Sequence, residues 1–192
     1  MIVTGFFVPG KNLKTGRPTK MQNTSRLSRT FYTRDVLEVA RDLIGKDLVV
    51  SGQDGISGRF EILETEAYRG EEDIACHASK GKTSRTEVMY REGGLVYMYF
   101  IYGMYWMMNI VAGERNNPQA VLIRAIEGYN GPGKLTRDLG IDGTFYGEDL
   151  TVSQRIWLEK IGRKCNIITG PRIGIDYAGE PWKSRPWRFV KK

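Results

Sequence analysis

Apolar and polar positions alternate along three runs of this chain, and each run carries a polar group where a plain core strand would be aliphatic. In residues 62–68 a period of two puts Ile62, Glu64, Glu66 and Tyr68 on one face and Leu63, Thr65 and Ala67 on the other. Two carboxylates then share a face, about 7 Å apart at about 3.3 Å of rise per residue. In residues 120–126, Leu122, Arg124 and Ile126 form one face and Val121, Ile123 and Ala125 the other. A strand apolar on both faces is central, which predicts a buried Arg124. An uncompensated interior guanidinium costs several kcal/mol, so a carboxylate partner is required, and Glu66 and Glu64 are the candidates. Spacing alone leaves two readings open: a structural salt bridge, or a catalytic carboxylate held ionised by an arginine.

The third run, residues 95–111, is a hairpin opened by Gly93-Gly94, with residues 95–101 extended, Tyr102-Gly103 as the turn and residues 104–111 returning. Tyr97, Tyr99, Tyr102 and Tyr105 make it aromatic. A bulky ring beside a glycine at a hairpin tip is hard to place in a core, and Tyr102 there could wedge open a base step. Around these runs, Val36, Leu37, Ala40, Leu43 and Ile44 recur at helical spacing, with Thr33 as the cap and Gly45 as the stop. Residues 47–51 read as a strand, 52–58 as a turn and 59–68 as its antiparallel partner. The polar loop 69–82 carries Glu71, Glu72, Asp73 and His77, and a lone histidine there is expected to be exposed, with Asp73 near it. Past the Arg124 strand come a turn at 130–133 and a short helix at 134–139, whose N-terminus with Lys134 suits a phosphate. A helix at 153–161 and a strand around 172–177 complete the prediction. Hairpins in place of alternating βαβ units imply a single α+β domain: a curved, mainly antiparallel sheet with packed helices and a protruding β-hairpin.

Composition adds a partner. The 192 residues carry a net charge of +7, which favours a polyanion because lysine and arginine displace counterions from phosphates. Residues 9–30 hold Lys11, Lys14, Arg17, Lys20, Arg26 and Arg29 without an acid. Residues 1–29 therefore read as a flexible basic arm, touching phosphates or simply solvated, ahead of a domain at 30–192. Within the arm, Gly5 to Asn12 mimics a phosphate-binding loop, but Asn12 stands where a magnesium-binding Ser or Thr is needed. No apolar run of 18 or more residues offers a membrane span. The first eight residues lack the leading positive charge of a signal peptide, so a cytoplasmic location is expected. Two cysteines, Cys76 and Cys165, and one histidine make neither a disulfide framework nor a zinc site. Hydrolysis here is expected to need no metal and no cofactor.

The runs Glu64-Thr65-Glu66-Ala67-Tyr68 with His77 downstream, Tyr99-Phe100-Ile101-Tyr102-Gly103-Met104-Tyr105 to Asn109, Leu122-Ile123-Arg124-Ala125, Gly131-Pro132-Gly133-Lys134-Leu135 and Arg172-Ile173-Gly174-Ile175 have a particular order and spacing. In both, the chain resembles the alkyladenine (3-methyladenine) DNA glycosylase family, from about residue 37 to residue 189. The resemblance implies a monofunctional base-excision enzyme acting on double-stranded DNA that contains alkylated or deaminated purines. It implies that Glu66 is the general base that activates water at the sugar carbon and that Arg124 helps to position that water. Tyr68, His77 and Tyr99 are implied as walls stacking the flipped base, Asn109 as a check on purine substituents, and Tyr102 as the wedge filling the vacated stack. Lys134 and Arg85 are expected phosphate contacts. A monomer of bacterial type, acting on the nucleoid, is expected. Two alternatives from other classes stand beside it. In a single-strand nucleic-acid binding module, Tyr99, Tyr102 and Tyr105 would stack bases. A catalytically idle paralogue would only sense damage.

Overall fold

The computed structural model describes residues 25–51, 57–161 and 165–192. The mimic of a phosphate loop, most of the basic arm and residues 52–56 of the predicted turn lie outside the described residues.

The chain enters through β1 (Ser25–Arg26) and the one-turn helix α1 (Arg29–Tyr32), then α2 (Val36–Leu43). Val36, Val39, Ala40 and Leu43 bury one face of α2, as their spacing predicts. The cap is not Thr33, which closes α1 by donating its N–H to the Arg29 carbonyl. Asp35 caps α2, its carboxylate accepting from Leu37 N–H at 2.9 Å, because it directly precedes the first buried position. Next come β2 (Asp47–Ser51) and the 13-residue β3 (Ser57–Arg69), paired antiparallel from Asp47↔Glu61 to Ser51↔Ser57. The aromatic ribbon is β4 (Val96–Ile101) and β5 (Tyr105–Ala112). The arginine strand is β6 (Gln119–Ile126), followed by β7 (Tyr129–Asn130), α3 (Pro132–Asp138), β8 (Ile156–Lys160), β9 (Ile167–Gly170) and β10 (Arg188–Lys191).

Every pairing among the described strands is antiparallel, in the order β1-β8-β2-β3-β6-β5-β4, with β10 joining β3 to β9 and β7 on β6. The result is a single small domain with an open antiparallel sheet and few helices. The long β3 serves two neighbourhoods: its first half pairs with β2, and its second half lies between β6 and β10, where Glu66 is opposite both Leu122 and Arg188. One face of the sheet packs the main core, in which Ala67, Val96, Met98, Met108, Ile110, Val121 and Ile123 join the buried face of α2. Thr65 on that face donates its hydroxyl to the Ala40 carbonyl at 2.8 Å. The opposite face, covered by the segment after β3, is where Glu66, Tyr68, Tyr97, Tyr99, Asn109 and Arg124 gather.

Three expectations are corrected. The period of two breaks at residues 62–65, where register shifts mark a bulge. Ile62 therefore belongs to the main core with Ala67 and not to the face of Glu64 and Glu66, since a bulge re-aims the side chains on either side of it. Residues 153–161 are not a helix: the Ser153 hydroxyl accepts from Arg155 and Ile156 N–H, and Ile156–Lys160 is a strand between β1 and β2. Ile156 and Leu158 alternate into the core there. Residues 172–177 are not a strand, because Gly174 at φ 78° interrupts the extended run and Arg172 turns inward. The terminal strands are β9 and β10.

The helix predicted at 134–139 begins two residues earlier, at Pro132. Gly133 seats it on β5: a Cβ at this position would lie 2.8 Å from the Tyr105 ring.

Candidate active site

A cavity of about 380 Å³ opens on the polar face of the sheet. Tyr68, His77, Arg85, Tyr99, Tyr102, Asn109 and Arg124 all line it, so seven residues singled out in the sequence converge on one space. Its volume suits a planar heterocycle, and its walls combine aromatic rings with the polar groups of His77, Arg85, Asn109 and Arg124.

Glu66 does not itself line this cavity. It is fully buried one layer behind the wall, and three of its hydrogen-bond partners belong to wall residues. Ile173 N–H donates to Oε1 at 2.7 Å, Tyr68 O–H donates to Oε2 at 3.0 Å, and Arg124 Nη1 approaches Oε2 at 3.4 Å. Burial pushes the Glu66 carboxyl above its ordinary range, and the Arg124 charge, the Ile173 amide and the Tyr68 hydroxyl each act against that rise. Glu64 adds to it by like-charge repulsion. Arg124 is mostly buried, with 16% of its side chain exposed, and its closer partner is Glu64, through Nε at 3.0 Å. Glu64 in turn accepts from Arg188 Nη1 at 3.2 Å. Both carboxylates predicted as partners thus hold the arginine.

The aromatic walls interlock. His77 is not simply exposed: its Nδ1 lies 2.8 Å from the Tyr97 hydroxyl and its ring stands edge-on to Tyr99 at 4.5 Å. Arg85 Nη2 lies 3.1 Å from His77 Nε2 and 3.4 Å from Nδ1, so the guanidinium sits against the imidazole and reaches both ring nitrogens. Burial first, then the Arg85 and Lys80 charges, pull His77 down to about 4, so the ring is neutral at physiological pH. The Arg85 guanidinium also covers the Tyr99 ring, at 5.3 Å. Asn109, buried on β5, donates its amide to the Tyr97 and Met107 carbonyls, both at 3.3 Å.

Tyr102 stands at the tip of the β4–β5 turn, 83% exposed. Tyr102 and Gly103 have φ of 55° and 64°, and Met104 N–H closes the turn on the Ile101 carbonyl at 3.2 Å. Two successive positive φ values favour Asn-Gly, and tyrosine is a poor choice for the first of them. Lys134 is exposed on α3 and is not part of the cavity lining.

Sequence reasoning missed several participants. Asp73, expected beside His77, is fully buried against Arg172, whose Nη2 donates to Oδ1 at 2.9 Å. Tyr97 lies two residues before Tyr99, on the same face of β4 by strand alternation, and that period was the available signal. Ile173, Ile175 and Tyr177 close the cavity from a segment more than 100 residues along the chain from Glu66, where no local pattern signals the contact. Among the described residues, no group of three His, Cys, Asp or Glu side chains is placed to hold a metal. Cys76 and Cys165 are both free thiols. No helix of the described residues is long and apolar enough to cross a membrane.

Comparison with known proteins gives the family. The family model described as methylpurine-DNA glycosylase (MPG) matches residues 30–130 and 128–192. A protein of Desulfitobacterium hafniense is 46% identical over 85% of this chain and 94% of its own length. One of Methanocella arvoryzae is 45% identical over 86% of this chain and 92% of its own, and one of Borreliella burgdorferi 42% over 86% and 96%. Each is provisionally named a 3-methyladenine DNA glycosylase. With a family match across nearly all the described residues and identities above 40%, the chain belongs to the methylpurine-DNA glycosylase family, whose enzymes are hydrolases of the N-glycosyl bond in DNA.

Proposed function

We propose that this protein extrudes an alkylated or deaminated purine, of the 3-methyladenine class, from duplex DNA and hydrolyses its N-glycosidic bond with a water activated by Glu66. The observation that carries this reading is a fully buried carboxylate whose partners, Tyr68, Arg124 and Ile173, are the wall of an aromatic cavity. A base inside a duplex leaves no room for water and a carboxylate at its sugar carbon, so it must leave the stack at a cost of a few kcal/mol. Tyr102, on the protruding hairpin, offsets part of that cost by filling the gap.

A ring-alkylated purine is cationic, and electron-rich aromatic faces attract it by about 0.5 to 2 kcal/mol. A neutral His77 adds no further positive charge to a wall that already carries Arg124. The positive charge also makes the base a good leaving group. As the bond lengthens the sugar gains oxocarbenium character, which a fixed carboxylate stabilises while deprotonating water. A carboxyl raised by burial is, once ionised, the stronger base toward that water. Arg124 and the two hydrogen bonds keep it ionised and oriented. Oε1 accepts the Ile173 amide and has a second lone pair for the water. Asn109 screens purine substituents from the cavity floor.

Arg85 turns outward to a phosphate when the base takes its place over Tyr99, Lys134 contacts the backbone, and residues 1–24 act as a basic arm; residues 25–29, expected in that arm, belong to the domain, with β1 paired to β8, Leu27 in the core and Arg29 Nη1 donating to the Gly93 carbonyl at 2.6 Å. The protein works as a monomer in the cytoplasm, on the nucleoid, with neither metal nor cofactor.

The test is single-turnover release of base from a short duplex carrying one alkylated or deaminated purine, with a chelator present, for wild type and Glu66→Gln. Release by wild type alone, with lesion binding retained by the variant, is the expected outcome. Full activity in Glu66→Gln would sink the assignment of Glu66. Tight binding without release by either protein, across several lesions, would favour a damage-binding or single-strand-binding role.

A further inference from the structure

We infer that the buried Asp73–Arg172 pair is a positioning device for the reaction: it holds the segment after β9 so that the Ile173 amide stays on Glu66 Oε1. The inference rests on Glu66 being the base. Both side chains of the pair are completely buried. Arg172 Nη1 donates to the Ala67 carbonyl at 3.0 Å, one residue beyond Glu66 on β3, while the guanidinium lies between the Tyr68 ring at 4.8 Å and the Trp187 ring at 5.0 Å. Asp73 accepts from Arg69 N–H at 3.0 Å and Ala75 N–H at 3.1 Å. The pair therefore ties together the end of β3, the turn leading to the cavity wall at Ala75, and the residue immediately before Ile173. Ile173 N–H then meets Glu66 at 2.7 Å, the shortest of the contacts described for that carboxylate.

A purely structural clamp would not need this chemistry. Apolar side chains of similar volume hold buried segments as well as an ion pair or better, because they escape the desolvation penalty. Arg172 Nε is moreover buried with no hydrogen-bond partner among the described residues, a further cost that a clamp made for stability would avoid. What a planar guanidinium supplies, and an aliphatic side chain does not, is a fixed orientation set by several donors at once. Here that orientation is passed along one peptide bond to a catalytic carboxylate.

The charged and titratable groups around Glu66 are Glu64 and Tyr68 on its own strand, Arg124 from β6, Arg188 from β10 acting through Glu64, Tyr99 from β4, and Arg172 behind Tyr68. Of these, the pair acts on Glu66 through the Ile173 amide. Losing that donor removes a hydrogen bond to the charged form and favours the neutral carboxyl.

The experiment measures single-turnover base release against pH for wild type, Arg172→Lys, Asp73→Asn, and a full-length protein in which the peptide N–H of residue 173 is replaced by an ester oxygen. The ester leaves the ion pair and every side chain intact, so it removes the amide without unfolding the pair. In the ester protein the acid limb of the profile is expected to move up by about one pH unit. Arg172→Lys and Asp73→Asn are expected to move it the same way, with the same proportional loss for cationic and neutral lesions. An ester protein with the wild-type acid limb overturns the inference. So does an Arg172→Lys protein that only melts lower while its profile is unmoved. Glu66→Gln is run alongside: if it still releases base, the assignment of Glu66 has failed, whereas an inactive Glu66→Gln beside an unshifted ester protein rejects the positioning role alone.

Discussion

At the scale of single residues, Glu66 as the proposed base would set stability against chemistry. Its carboxyl is raised by burial, so the native state holds the proton more tightly than the unfolded chain does. The sign follows. A carboxyl with a raised folded pKa contributes stability that is present below the unfolded value and is lost as pH rises through the folded one. At pH 7 the ionised Glu66 therefore weighs against folding, and Glu66→Gln, which still accepts the Ile173 amide, should melt higher than wild type. On acidification below the ordinary glutamate range the two melting temperatures should converge. Thermal melts of both proteins from pH 7.5 to pH 4 check this, and a variant that melts lower at pH 7 would contradict it. The pairing of Glu66 with Arg124 was legible because a guanidinium in an apolar strand needs a carboxylate. Glu64, the other candidate, takes the closer bond. The amide of Ile173 was not legible, because it comes from a segment 107 residues away.

At the scale of elements, the β4–β5 hairpin shows a turn whose residue is wrong for its backbone. Tyr102 occupies a left-handed φ of 55° that costs a non-glycine residue about 1–2 kcal/mol, and its ring is exposed. Asparagine tolerates that conformation, and Asn-Gly is the favoured sequence for two successive positive φ values. Tyr102→Asn should thus raise the melting temperature by roughly 2–4 °C while slowing base release from duplex DNA. Release from a single-stranded substrate, where no stack has to be opened, should change far less. A variant equally fast on both substrates would remove Tyr102 from the wedge role. The hairpin could be read from sequence because Gly93-Gly94, alternating tyrosines and Tyr102-Gly103 all agree locally. Residues 153–161 could not. Ile156, Trp157 and Leu158 form a short apolar run compatible with either period, and what decides it is tertiary: Ile156–Lys160 fills the gap between β1 and β2, and Glu159 pairs with Arg59 at 2.8 Å. The cap of α2 slipped from Thr33 to Asp35 for a related reason, since a four-residue helix α1 ahead of it uses Thr33.

At the scale of the whole molecule, charge and cavity address different parts of the substrate. The site is specific, built from one cavity and a handful of side chains. The net charge of +7 is not, and four of those charges are Lys11, Lys14, Arg17 and Lys20, outside the described residues. If the arm tracks phosphates, each cation it places there releases counterions, and binding weakens with salt by a slope of about 0.9 per phosphate contact. Lys134 on α3 sits clear of the cavity and, as the proposed backbone contact, would contribute on the same terms. Replacing the four arm cations with glutamine in the full chain should therefore lower the slope of log K against log salt by about three to four, and Lys134→Ala by about one. Both losses should be the same for lesion-bearing and undamaged duplexes, because a phosphate contact carries no base information. Under saturating enzyme the single-turnover rate of base release should be unchanged in both proteins, since neither set of charges touches the bond that breaks. Binding titrations at several salt concentrations, run beside single-turnover kinetics, separate these effects. A slope unaltered in the arm variant would leave residues 1–24 as a solvated leader, and a loss confined to one lesion in Lys134→Ala would move that lysine from the backbone to the base.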